Sequence, residues 1–86
     1  MKIGFVATRS GLISEKEQIA HLKAFGVDDE HIYTAEHTLD EAIKACDRGM
    51  DMLVVHSAVI IGKHAYPRAI KTLAAQGALL HILRKD

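Results

Sequence analysis

Eighty-six residues are enough for one domain with one core and too few for two, so residues 1–86 are read as a single unit whose sites lie on its rim. Eleven acidic residues balance eleven Lys and Arg, which removes the global attraction expected of a free-standing nucleic-acid binder. Locally the charge is uneven: Asp28 to Asp51 holds eight acids against Lys44 and Arg48, and from Lys63 onward five bases face only Asp86. Solvated helix faces account for such runs, and the alternative is a basic end beside an acidic side.

Cys46 stands alone, which excludes an intrachain disulfide and a Cys-rich zinc site and fits a reducing compartment. No apolar run approaches the roughly 20 residues that span a bilayer. The opening "MKIGFVA" is too short for a signal peptide and reads as a strand. A cytoplasmic protein without a membrane partner is the expectation.

In chain order, Lys2 to Ala7 is an apolar, β-branched run suited to a buried strand. A helix follows. Ser14 and Glu17 have the spacing of a capping box, Gly26 supplies the stop, and Ile19, Ala20, Leu22 and Phe25 give the helix a buried face. "HIYTA" reads as a second strand. Thr38 and Glu41 repeat the capping device, and Leu39, Ala42, Ile43 and Cys46 fall at i, i+3, i+4 and i+7 before Gly49. That spacing makes Cys46 a core residue rather than a nucleophile.

The third strand is placed at Met52 to His56, where continuous apolar character implies burial on both faces. Pro67 suits the first turn of a third helix, in which Ile70, Leu73 and Ala74 face inward up to Gly77. "ALLHILR" supplies a fourth strand. Strand alternates with helix and the connections are short. The expected fold is therefore α/β and three-layered: a parallel four-stranded sheet, order 2-1-3-4, flanked by three helices and flavodoxin-like. In such sheets ligands gather at the carboxyl ends of the strands where the order reverses. Here those ends carry Thr8, Arg9 and Ser10 after the first strand, and His56 and Ser57 after the third, which together form a candidate anion-binding group.

Several runs resemble the amino-terminal catalytic domain of the serine recombinases, the resolvase and invertase family. "IGF" opens the first strand, and "EKEQIAHLKAFGV" is similar to the family's LDLQ-x-x-AL-x-x-AG. "IYTAE" matches its second strand, "DRGMDMLVV" its EGD-x-L-x-V, "IIGK" the end of its D-R-L-x-R, and "LAAQGALLHIL" its helix-to-strand turn. The resemblance spans almost the whole chain and implies a resolvase-like fold. It also implies a nucleophilic Ser in an R-x-S pattern on the first loop, with Arg residues that neutralise the phosphate transition state.

The chemistry does not carry over residue by residue. Aligned without gaps from Gly4 to Gly26, the family's Arg falls on Ala7 and its Ser on Arg9, with Ser10 one position late and Thr8 two before it. Val59, Ile60 and Ile61 stand where the family has D-R-L, and of that motif only Lys63 keeps a positive charge. The family's basic loop before the second helix is shortened to "AEHT". Loss of one transition-state charge contact costs on the order of 10² to 10³ in rate, and at least three are missing. The family's long dimerisation helix and carboxyl-terminal helix-turn-helix also have no counterpart in these residues. Arg9, Ser10 and Lys63 are thus read as a vestigial active-site loop with no catalytic residue.

The resulting expectation is a catalytically inactive, resolvase-like interaction or regulatory module with a protein partner or self-association. The resemblance implies a phage or mobile-element setting. The candidate interface is Ala58, Val59, Ile60 and Ile61 with Tyr66, unless that segment is buried by an extended strand or a shifted helix. Two alternatives remain: residual DNA strand transfer or DNA binding that uses Ser10, and an anion or nucleotide sensor at the sheet rim. No cofactor is expected. The six histidines lack the i, i+4 pairing of a helical metal site, although His37, His56 and His64 could meet near Glu36 at the rim, so the expected metal set is none.

Overall fold

The computed structural model describes residues 1–7, 13–34, 38–46, 49 and 51–84, with the side chains of all of these except Ala58 and Val59. The order is β1 (Lys2–Phe5), α1 (Glu15–Ala24), a 3-10 turn (Asp29–His31), β2 (Ile32–Tyr33), α2 (Leu39–Ala45), β3 (Met52–Val55), α3 (Ala58–Ile61), α4 (Ala65–Ala75) and β4 (Leu79–Ile82). All strand pairs are parallel and the sheet order is β2-β1-β3-β4, as the alternation of elements predicts. Register sets Gly4 beside Ile32, Ile3 beside Leu53 and Val54 beside His81.

Alternation along the inner strands builds two cores. Ile3, Phe5, Leu53 and Val55 point to one face, where they meet Ala42, Ile43 and Cys46 of the α2 segment and Ala69 and Leu73 of α4. Val6 and Val54 point to the other, against Leu22 and Val27. The sheet therefore carries α1 on one face and α2 with α4 on the other. Gly4 is required by this packing, because a Cβ there would stand 2.9 Å from Leu22 Cδ1 and 3.2 Å from Val27 Cγ1.

The capping box expected at Thr38 forms in full, and at Ser14 the side-chain half of it forms. Ser14 Oγ accepts from the Glu17 amide at 3.2 Å. At α2 the box is reciprocal, with Thr38 Oγ1 accepting from the Glu41 amide at 3.2 Å and Glu41 Oε2 accepting from the Thr38 amide at 3.0 Å. Cys46 is fully buried, as its spacing requires. Gly77 closes α4 with φ +79, a left-handed geometry that favours glycine.

Several details differ from the sequence reading, among them β1, which ends at Phe5 rather than Ala7, and β2, which is confined to Ile32–Tyr33 because His31 belongs to the 3-10 turn. The buried stripe of α1 contains Gln18, while Ala20 is exposed. In α4 it is Ala69 and Leu73 that turn inward, leaving Ile70 42% exposed and Ala74 exposed. α2 ends at Ala45, because Cys46 leaves helical geometry at φ −88, ψ 60. An additional short helix, α3, follows β3 directly. Among the described residues no helix is long and apolar enough to cross a membrane.

Candidate functional site

Between β1 and α1 the backbone ends of a loop are held by one side chain. Gln18 is fully buried on α1. Its Nε2 donates to the carbonyls of Ala7 at 2.8 Å and Ile13 at 3.2 Å, and its Oε1 accepts from the Ala7 amide at 3.4 Å. Both ends of the connection are thereby tied to α1, beside the carboxyl end of β1. The residues carried on it, Thr8, Arg9 and Ser10, lie outside the described residues. In "EKEQIAHLKAFGV" Gln18 occupies the place of the Gln in the family's LDLQ run. Sequence reasoning passed over it, yet the signal was there: it stands four residues before Leu22, on the same helical face.

Of the other rim residues, His56, Ser57 and Lys63 lie within the described residues. His56 is 6% exposed and sits on the α1 face, edge-on to His21 with ring centroids 5.0 Å apart. Ser57 is half-buried, and its carbonyl accepts from the Ile60 amide at 3.1 Å, which starts α3. Lys63 is exposed in the connection between α3 and α4.

The short α3 decides the fate of the candidate interface. Ile60 and Ile61 are 6% and 9% exposed and belong to the core beneath α2 and α4, and half-buried Tyr66 packs against the same cluster. The helical turn swings these side chains inward, so Ile60 and Ile61 are core residues and offer no exposed patch. The side chains of Ala58 and Val59 lie outside the described residues.

On the same face a pocket of about 170 Å³ opens between Phe5 and Ala7 of the β1 end, Thr38 to Asp40, Ile60 and Ile61, and Ala65 with Arg68. Its floor is apolar, and exposed Asp40 and Arg68 bring opposite charges to the walls. The volume bounded by these residues is below the roughly 300–1,000 Å³ usual for small-molecule sites. It has room for a side-chain tip or a small anion rather than a nucleotide.

Of the histidines that could meet at the rim, His37 lies outside the described residues, His56 packs edge-on to His21 of α1, and His64 is exposed at the start of α4. Asp28, Glu30 and His31 bring one ligand atom each within 4.8 Å of one another. This group precedes β2, at the opposite end of the sheet from the rim, and its carboxylates are exposed.

A second glutamine ties the two helices of the larger core. Gln76 Nε2 donates to the carbonyls of Ile43 at 2.9 Å and Cys46 at 2.8 Å, which caps the end of α2 from α4. In comparisons with known proteins, no protein-family model and no curated protein matches this chain.

Proposed function

We propose that this chain is a binding module on a resolvase-like scaffold, a regulatory partner that performs no strand transfer of its own. The observation that carries the reading is Ile60. It stands where the resemblance assigns a guanidinium to the reacting phosphate, and it is packed into the core at 6% exposure. A pocket built for phosphoryl transfer needs cationic groups aimed at the developing negative charge, and the described walls of the rim pocket offer Arg68 alone, faced by Asp40.

The test is incubation of the purified chain with a nicked suicide DNA substrate, followed by denaturing electrophoresis and mass spectrometry. No covalent protein–DNA species is expected. An adduct that forms with the native chain and disappears in Ser10→Ala overturns the reading. Affinity capture from the native host, compared between the native chain and a surface variant, then identifies what is bound.

A further inference from the structure

We infer that a second copy of this chain docks on the open edge of β4, antiparallel about a two-fold axis, to give a continuous eight-stranded sheet. The inference rests on the binding reading above and deepens it by naming the partner.

β4 is the last strand of the sheet, and among the described residues only β3 pairs with it. The amides of Leu79 and Leu83 donate to Asp51 and Val55 carbonyls, each at 3.0 Å. By the two-residue period of a parallel ladder, the amides and carbonyls of Leu80 and Ile82 turn away from β3 toward the open side. Exposed edges are normally guarded by charge, proline or a bulge. The segment Ala78 to Leu83 carries no proline and no formally charged residue.

The edge is flanked by the apolar surface that folding leaves over. Leu79 is 62% exposed and Ile70 is 42% exposed. Ile70 lies on the flank of α4 away from α2: at about 100° per residue, Gln76 and Ile70 fall on opposite sides of core-facing Leu73, and Gln76 is the residue that reaches α2. That flank overhangs β4. The apolar stripe of α4 is therefore wider than one copy buries.

Self-pairing is the occupant that satisfies this edge without electrostatic conflict. With His81 on the two-fold axis, Leu80 of one copy faces Ile82 of the other, and vice versa. Each facing pair exchanges two backbone hydrogen bonds, so all the outward groups of Leu80 and Ile82 are used. Arg84 then faces Ala78 of the second copy, and no like charges are opposed along the strand. The chain's net charge of zero adds no long-range repulsion between copies.

Sedimentation of the full chain from micromolar to sub-millimolar concentration tests the pairing. The expected result is a dimer of about twice the 9.4 kDa chain mass, converted to monomer by the paired surface substitutions Ile70→Lys and Leu79→Lys with an unchanged circular dichroism spectrum. Amide hydrogen exchange of the unaltered chain gives an independent readout, with protection of Leu80 and Ile82 expected in the concentrated sample and lost on dilution. A chain that stays monomeric throughout, or concentration-independent exchange at those two amides, overturns the inference and leaves the edge to a strand of some other protein. Neither result bears on the DNA-adduct assay, so failure of the pairing is distinguishable from failure of the binding reading.

Discussion

Gln18 and Ala7 are bonded in both directions, amide to carbonyl at 2.8 Å and carbonyl to amide at 3.4 Å, so a helix side chain completes the backbone pairing at the end of β1. Buried backbone groups stripped of a partner cost about 1–3 kcal/mol. Gln18→Ala is therefore expected to lower stability by about 2 kcal/mol and the melting temperature by roughly 10 °C. Gln18→Glu should not rescue it, because a carboxylate cannot donate to the Ala7 and Ile13 carbonyls. Urea denaturation of the three proteins checks both statements.

Gly4→Ala places a methyl group 2.9 Å from Leu22 Cδ1, inside contact distance, with Val27 and Ile32 closing the other sides. Overpacking of this kind costs about 1–3 kcal/mol. The expected signature is a lower denaturation midpoint with an unchanged slope. Gly4→Ala combined with Leu22→Ala should recover part of the loss, because the clash is with that side chain.

The Thr38 box and the Gln76 clamp secure α2 at its two ends. Thr38→Ala is expected to cost about 1 kcal/mol. Gln76→Leu removes two donors from α2 carbonyls and should cost about 1–2 kcal/mol. Because the sites lie at opposite ends of a seven-residue helix, each change alone should already raise amide exchange throughout α2. An α2 exchange profile unaffected by Gln76→Leu would show that this helix is held by its apolar face alone.

Ile60→Asp discriminates core from surface. A carboxylate at a position 6% exposed and surrounded by the larger core has no partner, and the loss is expected to reach about 4 kcal/mol or more. Domains of this kind have only about 5–15 kcal/mol in total. The variant should lose most of its cooperative thermal transition. A variant that melts like the native protein would return Ile60 to the surface and revive the segment as an interface.

The order of elements was legible because each has a local cause that survives folding. Leu39, Ala42, Ile43 and Cys46 have one helical spacing and one environment, and the caps at Ser14 and Thr38 act through backbone groups three residues away. What spacing cannot supply is the width of the cover over a helix. Ile70 and Ala74 have the same apolar character as Leu73, and only the position of β4 beneath α4 leaves them outside. Gln18 shows the converse, since hydrophobicity counts against burial of a side chain whose partners lie 11 and 5 positions away.

Thr8, Arg9 and Ser10 lie outside the described residues, so the legible part of the candidate site is its frame, the strand order that the alternation of elements predicts. The pocket lies beside Phe5 and Ala7 at the end of β1 and against Ile60 and Ile61 of α3, and neither His56 nor Ser57 lines it. Val59, Ile60 and Ile61 are β-branched residues that favour continuation of a strand. Burial against α2 and α4 overrides that preference and bends the segment into α3, which removes Ile60 and Ile61 from the surface.

The pairing of Lys2 with Met52 sets a schedule for synthesis. As the chain emerges from the ribosome, β1 can find the minor edge β2 early, but its inner neighbour does not exist until about fifty further residues have been made. Long-range parallel pairing is slow to pay back its loop-closure entropy. The first half should therefore leave the exit tunnel as a loosely ordered, protease-sensitive nascent segment, and the sheet should consolidate only once β3 and β4 have followed it out.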